Sequence, residues 1–199
     1  MMRTARGLTL PELLIALAVM AILIAVAAPS FRGMIEVQRL RSINSQLVTD
    51  LQFARNEAAV RGTLMRVVFA IDPSTTCYTL FTSAGTPAQA ANAQRCDCLA
   101  GPGNACNGLV GTNEVRTVSI PRSLGVLIAP LDAQFGVAFD PATGGLMSIP
   151  TDNVSQPMPQ FRVQTRLDAS RRVFSVLNQS GRPSVCSPAG SSLGETPCL

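Results

Sequence analysis

Two sets of side chains in this sequence could do chemistry: a carboxylate, Glu12, at the head of a long apolar run, and six cysteines, Cys77, Cys96, Cys98, Cys106, Cys186 and Cys198. Glu12 precedes sixteen uninterrupted apolar residues, Leu13 to Ala28. At a bilayer centre a carboxylate costs about 2.5–3.5 kcal/mol, so it calls for a cation. Cutting the peptide bond after Gly7 supplies one. Leu8 then carries a new amino group one helical turn from Glu12, at ~1.5 Å of rise per residue, and the two charges can neutralise each other. The cysteines offer disulfides or metal ligation. All six lie beyond the apolar run, and an even count in an exported domain predicts bridges. Zinc fits poorly, because there is no His and Cys96-x-Cys98 with Cys106 lacks paired Cys-x-x-Cys spacing. Four cysteines crowd into residues 77–106 and two into the tail. That grouping suggests two bridges in the first set and a Cys186–Cys198 bridge in the second, among the many pairings six cysteines allow.

The composition removes much enzymology. All sixteen basic residues are Arg, and without His or Lys the chain cannot build a Ser-His-Asp triad, a histidine general base, a P-loop lysine or a Schiff base. Asp140 and Asp152 flank a Gly- and Pro-rich stretch and are expected to be turn residues. No enzyme, no cofactor and no metal site are expected. Charge is nevertheless uneven. Residues 156–186 carry Arg162, Arg166, Arg171, Arg172 and Arg182 against Asp168 alone, whereas residues 68–155 carry three Arg against six acids. Such a local excess can mark a phosphate-facing surface, which makes those five arginines candidates for contacting double-stranded DNA. A solvated sheet face is the plainer reading.

These groups need elements to position them. Leu8 to Ala28 would form ~31 Å of helix, close to the ~30 Å hydrocarbon core of a bilayer. Arg3 and Arg6 precede it, so the positive-inside bias keeps the N-terminus cytoplasmic and sends the rest outward. A secretory signal peptide has similar features, and Ala25-Val26-Ala27 offers a small-x-small cleavage site. Glu12 within the core and Pro29 just beyond that cut argue against it. Pro29 is expected to end or kink the first segment. Helical periodicity then resumes: Leu40, Ile43, Leu47, Leu51, Ala54 and Ala58 form one apolar face, with Arg39, Arg41, Asp50, Arg55, Glu57 and Arg61 largely elsewhere. Gly62 is the expected stop.

Beyond Gly62 the period changes to two. Strands are expected over 64–71, 77–82, 115–120, 125–129, 134–140, 145–149, 161–167 and 172–177, with residues 83–113 as a stapled loop. The organisation is then a leader over 1–7, a transmembrane helix over 8–28, its amphipathic continuation over 29–62 and a β-rich domain over 63–199. This is an α+β fold with an antiparallel sheet built onto one long helix.

Taken together, the short basic leader ending in Gly7, Leu8 as a new first residue, Glu12 five residues into the mature chain and the apolar helix resemble the type IV pilin-like proteins. The resemblance implies that a prepilin peptidase cuts after Gly7 and that the Leu8 amine is methylated. It also implies that Glu12 helps dock the subunit among other pilins or pseudopilins. Leu47, Leu51, Ala54-Arg55-Asn56-Glu57-Ala58 and Arg61-Gly62 are similar to the helix pattern of the GspH/FimT group. Phe139-Asp140 followed by Gly144-Gly145 resembles that group's hairpin, and Cys77-Tyr78 with Cys96-x-Cys98 resembles its minor-pilin branch. The functions implied are a minor pilin that primes, caps or decorates a type IV pilus, a pseudopilin of type II secretion, or a FimT-like DNA receptor for natural transformation. Gly181-Arg182 resembles the start of a Gly-Arg-x-Arg motif of DNA-binding members, though Ser184 stands where the second arginine would be. The implied location is the inner membrane, single-pass with a periplasmic C-terminal domain, and then a pilus or pseudopilus.

Overall fold

The computed structural model describes residues 9–83, 96–132, 135–149 and 155–198, excluding the side chains of residues 26–30. The chain divides into two compact units, residues 1–38 and 39–199. A single helix, α1 (Leu10–Arg61), runs through the first and into the second. Its first main-chain bond is donated by Leu13 N–H to the Thr9 carbonyl at 3.2 Å. It ends at Gly62, whose φ of 63° takes the left-handed conformation that stops a helix. Pro29 does not end it: the helix passes through that position without a break.

In the second unit, nine strands follow among the described residues: β1 (Met65–Ile71), β2 (Thr75–Ser83), β3 (Thr112–Pro121), β4 (Leu127–Pro130), β5 (Gly136–Phe139), β6 (Leu146–Ser148), β7 (Gln160–Arg166), β8 (Arg172–Asn178) and β9 (Pro183–Cys186). They form two antiparallel sheets instead of the single one expected. One has the order β3-β2-β1-β5-β6 and the other β4-β7-β8-β9. The chain changes sheet after β3, through a 3₁₀ turn at Arg122–Leu124 and then Gly125 at φ 77°. The expected strand over 125–129 therefore begins only at Leu127, and β3 starts three residues before the expected 115. β9 lies outside the expected strands. It opens on Pro183 and is an edge strand, the place where a sheet tolerates proline.

Both sheets turn an inner face to the helix of the second unit. Leu47, Leu51, Ala54 and Ala58 share one core with Met65, Val67 and Phe69 of β1, Ile128 of β4, Phe161 and Val163 of β7 and Leu177 of β8. The heptad-like spacing of the helical residues is thus core packing. A second cluster covers the outer face of the first sheet, where Val68, Phe81 and Ala138 meet Cys96, Ala105 and Cys106. The expected loop over 83–113 is in part this cover, and residues 84–95 lie outside the described set. The structure pairs Cys77 with Cys98, Cys96 with Cys106 and Cys186 with Cys198. The first bridge ties β2 to the loop, the second closes the loop on itself, and the third folds the tail back beside β9.

Candidate functional site

The N-terminal unit presents apolar side chains in every direction. Leu10, Leu13, Leu14, Ile15, Leu17, Val19, Met20, Ile22, Leu23 and Ile24 are each at least half exposed. At ~100° per residue these positions cover all faces of the helix, a pattern that requires cover by lipid or by other helices. Covering one such side chain is worth about 1.5–3 kcal/mol, so ten of them form a strong drive to assemble or insert. Glu12 stands in the first helical turn, exposed, as the only charge among them. Gly7 and Leu8, the expected cleavage and methylation positions, lie outside the described residues. Among the described residues no helix is long and apolar enough to cross a membrane.

The C-terminal unit locks its helix with two buried polar side chains. Asn44 and Asp50 sit ~60° to either side of the Leu47–Ala58 stripe at ~100° per residue. Asn44 faces the second sheet, where its Oδ1 accepts from Thr165 Oγ1 at 3.0 Å and Ser175 Oγ at 2.9 Å. Asp50 faces the first sheet, where Oδ2 accepts from the Tyr78 hydroxyl at 2.8 Å and Oδ1 from Arg116 Nη1. Burial, and then the Asp50 charge, push the Tyr78 phenol far above its ordinary range, so it remains a proton donor. The expectation that Asp50 lies off the buried face is corrected: it is 1 % exposed. Sequence reasoning missed this pair, although Asp50 falls three residues after Leu47, one of the same-face spacings.

The five candidate arginines do not form one patch. Arg162, Arg166 and Arg172 share the outer face of the second sheet, with Arg166 directly opposite Arg172 in the register. Arg162 pairs with Asp132 at 3.2 Å and Arg171 with Asp168 at 2.7 Å, which offsets two of the charges. Arg182 stands at the other end, in the turn from β8 to β9, where its N–H donates to Asn178 Oδ1. Gly181 beside it has φ 72°, and a Cβ there would come within 2.3 Å of the Gly144 carbonyl oxygen. Packing alone therefore requires this glycine. Asp140 closes a turn, accepting from Thr143 N–H and Oγ1, and Asp152 lies outside the described residues. A cavity of about 780 Å³ lies between that turn and the β8–β9 turn, lined by Asp140, Thr143, Asn178 and Gln179 among others. Within its lining the Thr143 hydroxyl donates to the Asp140 carboxylate at 2.6 Å, the bond that closes the turn.

Residues 2–28 match the family described as the prokaryotic N-terminal methylation motif, the signal that type IV pilins and pseudopilins carry. The motif implies a membrane-anchored precursor, processing by prepilin peptidase and assembly with other pilins. No curated protein and no solved structure gives a match. The helix-on-sheets α+β architecture is consistent with a pilin-like fold.

Proposed function

We propose that this chain is a minor pilin that primes, caps or decorates a type IV pilus, acting by assembly and not by catalysis. The observation that carries the reading is the all-round exposed apolar helix bearing Glu12 in its first turn. Such a helix is soluble only when covered, and a lone carboxylate within it favours a cationic partner on a neighbouring subunit or at a processed N-terminus. The head supports the reading. Three disulfides and two helix-to-sheet polar locks make it a rigid body suited to exposure outside the cell.

The test joins chemistry to phenotype. N-terminal mass spectrometry of membrane-extracted protein is expected to show a start at Leu8, methylated, and a start near Pro29 would overturn the pilin reading. Glu12→Ala is expected to be cleaved normally yet to be missing from sheared pili. Deleting the gene should remove or deplete surface pili while protein secretion continues. Loss of secretion with pili intact would assign the subunit to a type II secretion pseudopilus instead.

A further inference from the structure

At the end of the second unit where α1 enters, the fold gathers six of the sixteen arginines: Arg39, Arg41, Arg122, Arg166, Arg171 and Arg172. Contacts along this end connect them. Arg39 Nη1 donates to the Leu124 carbonyl at 3.0 Å, beside the Arg122–Leu124 turn, and Arg41 Nη2 donates to the Leu193 carbonyl at 2.8 Å. Ser192 N–H in turn donates to the Ser170 carbonyl, beside Arg171 and Arg172.

The acids at this end are already engaged. Asp72 accepts from the N–H groups of Ser74 and Thr75, and Asp168 from those of Ser170 and Arg171 and from Arg171 Nε. Glu195 lies 3.8 Å from Arg41. Among the described residues, Arg39, Arg122 and Arg172 donate hydrogen bonds to the main-chain carbonyls of Leu124, Asp72 and Ala189, and Arg122 also attracts the Asp72 carboxylate. The Arg166 side chain makes no hydrogen bond or ion pair among the described residues. It nevertheless stands directly across from Arg172, a like-charge cross-strand pair that costs stability, and shares a cleft of about 220 Å³ with Arg122. An anion between these guanidinium groups would turn the repulsion into attraction, and arginine's planar fork suits phosphate.

We infer that this arginine cluster is a lipid collar: Arg122, Arg166 and Arg172 seat the phosphate headgroups of anionic phospholipid while the subunit waits in the membrane. The inference rests on the membrane-anchored reading of the N-terminal helix. A lipid source is favoured over nucleic acid because of what precedes the collar in the chain. Phe31, Met34 and Ile35, spaced i, i+3 and i+4, are each more than half exposed and form one apolar stripe among Arg32, Glu36 and Gln38. Arg39 follows Ile35 by only four positions. Apolar side chains followed at once by a basic cluster are the sequence order of an anionic lipid interface. A duplex would give no role to the stripe.

The test uses the full processed chain in nanodiscs of phosphatidylcholine alone or with phosphatidylglycerol, with phenylglyoxal modification of each arginine followed by peptide mass spectrometry. Arg122, Arg166 and Arg172 are expected to react about fivefold more slowly in the anionic discs, with Arg61 and Arg182 unchanged. Phosphatidylglycerol is expected to co-purify with the parent protein and to be lost when Arg122→Gln, Arg166→Gln and Arg172→Gln are combined. Equal rates in both discs would overturn the collar. So would protection in neutral discs by duplex DNA, or by inorganic phosphate, at matched phosphate concentration, since the surface would then serve nucleic acid or a free anion. Entry into both kinds of disc tests the anchor separately. A chain that enters neither removes the membrane reading, whereas one that enters both without protection removes only the collar.

Discussion

The Tyr78 hydroxyl donates to the Asp50 carboxylate across 2.8 Å, joining the helix to the second strand of the first sheet inside the core. The other Asp50 oxygen meets Arg116, which also lies 5.5 Å from the centroid of the Phe53 ring. Nearly half of the Arg116 side chain is exposed, so solvent shares in stabilising that charge. Removing Asp50 should therefore cost less than breaking a fully buried ion pair. Asp50→Ala is expected to lower stability by about 2–3 kcal/mol, and Tyr78→Phe by about 1–2, in denaturant titrations followed by circular dichroism. Tyr78→Phe as damaging as Asp50→Ala would show that Arg116 adds nothing.

Asn44 makes the matching bond to the second sheet, and its effect should be non-additive. Asn44→Ala strands two buried hydroxyls, Thr165 and Ser175, and is expected to cost about 2–3 kcal/mol. Replacing all three together, Asn44→Leu with Thr165→Val and Ser175→Ala, should restore most of that stability, because no buried donor is then left without an acceptor. The same titrations measure it. A triple variant as unstable as the single one would mean the cost was packing and not hydrogen bonding.

Gly181 and Arg182 are neighbours with separable roles. Gly181→Ala must place a Cβ against the Gly144 carbonyl from a positive-φ backbone and is expected to lose more than about 1 kcal/mol. Arg182→Gln, on an exposed side chain, should change stability by less than about 0.5 kcal/mol. Thermal melts of both variants decide it, and a neutral Gly181→Ala would contradict the packing of the two turns.

The turn between β7 and β8 carries a pH signature. Donation from Arg171 first, and from Ser170 as well, holds the Asp168 carboxyl well below the ordinary carboxylate range. A depressed folded-state pKa stabilises the protein above the unfolded value of about 3.9, and that contribution disappears as pH falls below it through the folded value. Asp168→Asn should therefore differ from the parent by a constant amount from neutral pH down to about 4, and the two curves should converge in stronger acid. A difference that stays constant into strong acid would mean the carboxyl is not held down, because equal folded and unfolded pKa values leave no pH dependence.

Much of this molecule is determined by sequence alone because local rules decide it. The apolar run around Glu12 needs no partner in the chain to be recognised, since its character comes from composition over consecutive residues. Leu47, Leu51, Ala54 and Ala58 show their buried face by spacing, and Gly62 stops the helix through its own backbone freedom. Tertiary structure decided what depends on residues distant in the chain. Asn44 and Asp50 look like surface polar residues until Thr165, Ser175 and Tyr78 arrive from two different sheets to satisfy them. The split into two sheets depends on a change of direction at Arg122–Leu124 that alternation along a strand does not encode. Arginines that look like one basic segment fall at opposite ends of the second sheet, because a hairpin places neighbours by register and not by order. For the same reason Arg122, separated from Arg166 by more than forty residues, shares its cleft.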